Sequence, residues 1–182
     1  MFSPLARRKI CMIKPHQSLL PILACCVALL GLGSSRAEAK VRKGDRPSKF
    51  VSVKNGAGKK VQLKSYKDRI VVLTFGASWC KPCKKELPAF EKLARKYDTK
   101  KVIFLAVNVD SDSSKGKAFM KKAGLKQVYA LYDPKSSTVE SFDPPTMPST
   151  FIIKRGIVKH VHAGYRSGDA QKVAKIIDAE LR

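Results

Sequence analysis

The stretch from residue 70 to residue 97 most constrains what this chain can become. An apolar run, Ile70-Val71-Val72-Leu73-Thr74-Phe75, leads into Gly76-Ala77-Ser78-Trp79-Cys80-Lys81-Pro82-Cys83-Lys84-Lys85-Glu86. A run without polar alternation suits a strand buried on both faces of a sheet. Beyond it, Leu87, Phe90, Ala94 and Tyr97 recur at helical spacing and share one face. Two cysteines separated by two residues therefore stand where a buried strand hands over to a helix. The first N–H groups of a helix lack intrahelical partners, and the helix dipole is positive there. A thiolate at that point is stabilised, so the stretch reads as a redox-active dithiol.

The same geometry orders the two thiols. Cys80 is placed at the exposed helix start and Cys83 one turn in, where its sulfur is more buried. Attack falls to Cys80 and resolution to Cys83. A free thiol of pKa ~8.5 is only about 3% thiolate at pH 7, and lowering the pKa to ~7 makes it about half. Lys81, Lys84 and Lys85 add positive charge, screened by solvent and salt. Pro82 narrows the loop and carries no N–H. A zinc half-site and a static disulfide are the competing readings. Zinc needs about four ligands, and a bridge across four residues closes too small a loop to stabilise much. His160 and His162 alternate with valine on a later hairpin and are expected to decorate an exposed face.

The other three cysteines, Cys11, Cys25 and Cys26, lie in the first 30 residues. That region has Arg7, Arg8, Lys9 and Lys14, then an uncharged, mostly apolar run from Ser18 to Ser35, then Ala37-Glu38-Ala39. Positive start, apolar middle and small-x-small site describe a secretory signal peptide over residues 1–39. An uncleaved membrane anchor is the alternative, weakened by a run short of ~20 residues that contains Pro21 and two glycines. Arg7-Arg8 also fits twin-arginine export, and Ile-Leu-Ala before Cys25 a lipidation site, though most of the apolar run follows that cysteine. Cleavage leaves residues 40–182 as one domain in which Cys80 and Cys83 are the only thiols. Losing five basic residues and one acid brings the formal charge from +23 to +19. Such a balance would suit nucleic acid, an anionic membrane surface or an acidic partner. The lysines are scattered and no nucleic-acid motif accompanies them, so no nucleic-acid role is expected.

The rest of the chain alternates strands and helices. Phe50–Val53 and Lys60–Leu63, joined by Asn55-Gly56-Ala57-Gly58, read as a β-hairpin. Val102–Val109 is a second buried strand. A helix follows, capped within Ser111–Ser114 and ending at Gly124. Val128–Tyr132 is a short strand, and Pro144, Pro145 and Pro148 bar regular structure before a hairpin of Thr150–Ile153 and Val158–Val161. A last helix runs from about Asp169 to Leu181. The pattern implies an α/β fold with a central mixed β-sheet and helices on both faces.

Trp79-Cys80-Lys81-Pro82-Cys83 after a buried strand resembles the active site of the thioredoxin superfamily. The wider pattern is closer to its exported TlpA/ResA-like branch. It takes in Val41, Gly44-Asp45, Phe50, Gly56 to Leu63, Val72 to Phe75, Lys85-Glu86-Leu87-Pro88, Val107 to Asp110 and Met147-Pro148-Ser149-Thr150-Phe151. The resemblance implies a thioredoxin-like fold with an N-terminal β-hairpin and a central αβ insertion. It implies a cis Pro148 whose loop faces the dithiol and binds the substrate backbone, with Met147 shaping substrate choice. Trp79 packs beside Cys80 as part of the docking surface, or is a plain core tryptophan. Glu86 matches an acid that exchanges a proton with Cys83; a first-turn glutamate favoured by the helix dipole is the alternative. Pro88 matches a proline that kinks the active-site helix. Thr74 departs from thioredoxins proper, which carry a buried Asp there, so proton transfer cannot run through that position. Gly76 stands where a bulky aromatic is common.

The function expected is an extracytoplasmic thiol–disulfide oxidoreductase, without cofactor or metal, reducing disulfides of exported proteins. The resemblance implies apocytochrome c or another exported protein as substrate and a membrane thiol transporter as electron donor. An oxidant or isomerase of secreted proteins is the alternative within the family. A peroxiredoxin would want Pro and Thr where Leu73 and Ala77 stand. A copper-delivery protein would want three residues between its cysteines and a histidine near them, and a basic binding module would not need the cysteines at all.

Overall fold

The computed structural model describes residues 40–47, 50 and 53–182. The leader assignment, with Cys11, Cys25 and Cys26, lies outside the described residues. Among those described, no helix is long and apolar enough to cross a membrane.

The element order is β1 (Lys54–Asn55), a 3-10 turn (Leu63–Tyr66), β2 (Ile70–Gly76), α1 (Lys81–Ala94), β3 (Val102–Asn108), α2 (Ser113–Lys122), β4 (Val128–Tyr132), α3 (Ser137–Phe142), β5 (Ser149–Lys154), β6 (Ile157–Ala163) and α4 (Asp169–Leu181). The six strands form one sheet in the order β1-β4-β3-β2-β5-β6. β2, β3 and β4 are mutually parallel; β1, β5 and β6 join antiparallel.

β2 is fully buried along its seven residues, as is β3. Because side chains alternate across a strand, each contributes to two cores. Ile70 and Val72 join Leu87 and Phe90 of α1, Phe119 of α2, and Val173 and Ile177 of α4 on one face. Val71, Leu73 and Phe75 face the other side, against Val41, Phe50, Val53 and Phe142 of α3. There Phe75, Phe142 and Phe151 meet edge to face with ring centroids 5.1–5.9 Å apart. Such pairs add about 0.5–1.5 kcal/mol each beyond area burial.

Two expectations change, and one helix appears that the sequence pattern does not show. The N-terminal hairpin shortens to the Lys54–Lys60 bridge and the bond from the Val61 N–H to the Val53 carbonyl, and β1 pairs with β4 on its other side. Asn55 Oδ1 accepts from the N–H groups of Ala57 and Lys59, closing the turn, but the chain then enters the 3-10 turn rather than a second strand. Residues 51–52 of that expected strand fall outside the described residues. Secondly, Val139–Phe142 belongs to a helix, α3, started by Ser136 at φ 56° and supported by Asp133, whose Oδ2 accepts from the N–H of Thr138 at 2.7 Å. Thirdly, the histidines are not an exposed decoration. His162 is only 16% exposed, and its Nε2 sits 3.1 Å from Asp169 Oδ2. Asp169, in the first turn of α4, meets His162 of β6 there.

Glu91 and Gly116 fix the helices to the sheet. Glu91 Oε2 accepts from the N–H groups of Lys126, Gln127 and Val128, which pins α1 to the start of β4 and holds its carboxyl below the usual range despite burial. At Gly116 a Cβ would lie 2.2 Å from Asn108 Oδ1, so α2 can approach β3 only without a side chain there. Gly116→Ala is expected to cost about 1–3 kcal/mol of stability by forcing this contact apart. Urea unfolding measures it; an unchanged midpoint would show that the helix shifts freely.

Candidate active site

Cys80 is the N-cap of α1, in extended conformation, and its sulfur accepts from the N–H of Cys83 at 3.2 Å. A cysteine thus holds the place usually taken by a capping oxygen. Pro82, at the second helical position, donates nothing, so the Cys83 N–H is directed at the Cys80 sulfur. This donor and the helix start favour a thiolate there. The two cysteines form a disulfide with Cα atoms 5.3 Å apart. Cys83 is fully buried; Cys80 is 4% exposed, more enclosed than its position at a helix start led one to expect, though still the more open of the two.

Gly76 ends β2 directly beneath the pair. A Cβ there would lie 3.3 Å from Cys83 Sγ and 3.4 Å from its Cβ. The missing side chain is what lets Cys83 seat against the sheet, and this accounts for a glycine where bulk was expected. Pro88 lies inside α1 and cannot donate to Lys84.

Glu86 is the second element of the site. It points inward from α1, 1% exposed. Thr74 and Thr150 stand directly opposite each other on β2 and β5 and so share a face. Thr74 Oγ1 donates to Glu86 Oε2 at 2.8 Å, and Thr150 Oγ1 donates to Oε1 at 3.0 Å. Burial raises the Glu86 carboxyl to about 7; the two hydroxyls pull it down, and Asp169 pushes it further up. Thr74 is therefore no acid itself, but it holds one. Glu86 is legible in sequence as a proton partner for Cys83; that Thr74, where the proton path breaks, donates to it is not.

The third element is a brace missed by the sequence reading. Ser78 donates to Asp110 twice, from N to Oδ2 at 2.9 Å and from Oγ to Oδ1 at 2.8 Å. Asn108 Nδ2 donates to the same Oδ2 at 2.7 Å. The loop carrying Trp79 and Cys80 is thereby tied to the end of β3. The only signal available was an Asn-x-Asp closing a strand, which also reads as an ordinary strand end.

Trp79 is 65% exposed, which removes the core-tryptophan alternative. The Met147–Pro148 peptide is cis. Pro148 is buried, and Met147 is half-buried against both cores, the first of which contains Cys80 and Cys83.

A mixed sheet with a dithiol at the start of its first long helix and a cis-proline before an antiparallel strand defines a thioredoxin-like protein. The chain belongs to the AhpC/TSA family, whose model matches residues 45–161. It is 34% identical over 118 residues to the thiol-disulfide oxidoreductase ResA of Bacillus thuringiensis subsp. konkukian, covering 65% of this chain and 67% of that one. It is 30% identical over 132 residues to the thioredoxin-like protein YneN of Bacillus subtilis, covering 71% and 76%. Among solved structures it resembles one from Chlorobium tepidum, provisionally assigned as the thiol:disulfide interchange protein DsbE. That match has a TM-score of 0.72 at 30% identity, over 79% of this chain and 100% of the other. With the Cys80–Cys83 pair, these relatives make the chain a thiol–disulfide oxidoreductase.

Proposed function

We propose that the protein reduces disulfides of exported proteins outside the cytoplasm. The observation that carries this is Cys80 at the head of α1, with an N–H directed at its sulfur and Cys83 bonded to it from within. In the reduced protein the Cys80 thiolate attacks a partner disulfide. One partner sulfur leaves with the electron pair of the broken bond and takes a proton, and the other stays bonded to Cys80. Cys83 then gives its proton to Glu86 and attacks the Cys80 sulfur. The internal disulfide forms, and the second partner sulfur leaves and is protonated. Two electrons have passed from the dithiol to the partner.

Glu86 suits the proton role because a carboxyl near 7 is divided between acid and base at neutral pH. Trp79, Met147 and the cis Pro148 form the wall against which the partner chain lies. Residues 1–39 act as the export signal, or as an anchor where uncleaved. In an oxidising compartment the dithiol must be recharged, and a membrane thiol donor supplies the electrons. Apocytochrome c is one partner this reading allows.

The test is the reduction potential of the Cys80–Cys83 couple in a glutathione or dithiothreitol buffer. A value at or below about −200 mV supports electron donation. A value near about −120 mV would make the protein an oxidant and sink the reductase reading. Peroxide turnover with Cys80 intact and Cys83→Ser would instead favour peroxidase chemistry. Leu73 and Ala77, both fully buried, offer no hydroxyl for a peroxide.

A further inference from the structure

A groove of about 460 Å³ runs between α1 and α2 and ends at Ser78, two residues before Cys80. Its floor is apolar: Pro88 and Ala118, both exposed, and the edge of Phe119. Its rim carries Lys84, Lys115 and Lys122. All three are exposed, and none has a carboxylate within 4 Å among the described residues. The nearby acids are engaged elsewhere. Asp110 is bound by Ser78 and Asn108, and Asp112 caps α2 by accepting from the N–H groups of Ser114 and Lys115.

The two walls are held in place. Ser78 is tied to Asp110, Asp110 to Asn108, and Gly116 of α2 seats against Asn108. The groove is thus a fixed extension of the dithiol's own loop rather than a loose gap between helices. Three exposed ammonium groups around an apolar floor, of which only Lys115 feels a nearby carboxylate, that of Asp112, attract carboxylates and favour an apolar side chain between them. A basic or uncharged segment gains nothing from that rim.

We propose that this groove binds an acidic segment of the disulfide-bearing partner, with carboxylates on Lys84, Lys115 and Lys122 and an apolar side chain on the floor. The segment lies immediately beside the disulfide under attack, because the groove opens at Ser78. This inference rests on the thiol–disulfide reading above. It adds to that reading which partners are preferred.

The test compares disulfide-bridged peptides that differ only at two positions of a tripeptide beside one cysteine: Glu-Leu-Asp, Gln-Leu-Asn or Lys-Leu-Lys. The reduced protein should show kcat/KM about tenfold higher for the acidic peptide than for the neutral one in low salt, and lower still for the basic one. In 0.5 M salt the difference should shrink to about twofold, because the Debye length falls to a few ångströms. Lys115→Glu with Lys122→Glu should reverse the order while leaving reduction of hydroxyethyl disulfide unchanged. Lys96→Glu with Lys100→Glu makes the same charge change at the far end of α1 and should leave the order intact. Equal loss in both double variants would assign the preference to overall charge and overturn the groove. Absence of any acidic preference in the parent protein would overturn it directly. Failure of the parent to reduce hydroxyethyl disulfide would refute the underlying dithiol chemistry instead.

Discussion

Cys83→Ser is expected to leave the protein able to attack a disulfide and unable to complete the reaction. The Cys80 sulfur keeps its place as N-cap and keeps the N–H of residue 83, since that donor is backbone. Its nucleophilicity therefore survives. The serine hydroxyl is not ionised at neutral pH and does not displace the partner from Cys80. Multiple-turnover reduction should fall at least about 10³-fold, because the two cysteines act as one unit. Single-turnover attack should change little. Mass spectrometry under non-reducing conditions should find one partner peptide bonded to Cys80 per chain. The buried hydroxyl costs about 1–2 kcal/mol, so the variant should still fold. Cys80→Ser is the control and should trap nothing. Retained turnover in Cys83→Ser, or adducts that persist in Cys80→Ser, would overturn the assigned order of attack.

The dithiol was legible because its context is local. A buried strand, a turn and a helical period fit within 28 residues, and each obeys a rule that needs no tertiary information. The same holds for the sheet: Ile70–Phe75 and Val102–Val109 have no polar alternation because both of their faces are covered. The hairpin was legible only in part. Its turn and first pairing form as expected, but alternation does not say how far a strand runs, and after Val61 the chain leaves for the 3-10 turn while β1 also joins the sheet edge at β4. α3 was missed because six residues are too few for a helical period to show. Its start rests on Asp133 and a left-handed Ser136, neither of which marks a helix in sequence.

The residues around the dithiol divide in the same way. Gly76 is an oddity in sequence, and only its distance to Cys83 explains it. Thr74, Thr150 and Glu86 are far apart in sequence, and their meeting depends on β2 and β5 being neighbours in register. A threonine in a strand is ordinary; two opposite each other beneath a glutamate make a carboxyl cage. The Ser78–Asp110 brace is of the same kind, with a separation of 32 residues.

Glu86→Gln follows from that cage. The folded carboxyl is raised to about 7 from an ordinary value of 4.5, so the fold favours its neutral form. The resulting contribution to stability is fully present below about pH 4.5, where the carboxyl is protonated folded or unfolded. It is lost as pH rises through the folded value near 7, because the unfolded chain ionises freely and the buried carboxyl does not. A shift of this size corresponds to about 3 kcal/mol. Glutamine is neutral throughout and still meets both threonine hydroxyls, whose protons can rotate to suit. The variant should therefore match the parent within about 1 kcal/mol at pH 4 and exceed it by about 2–3 kcal/mol at pH 8, with both proteins oxidised and unfolded in urea. Function should move the other way. Without a group to take the Cys83 proton, release of the trapped partner should slow by about 10–100-fold at pH 7, and the rise in rate through pH 7 should disappear. A stability difference independent of pH would show that Glu86 titrates as an ordinary carboxyl. A retained inflection near pH 7 with normal release would assign the proton to another group and leave Glu86 as packing alone.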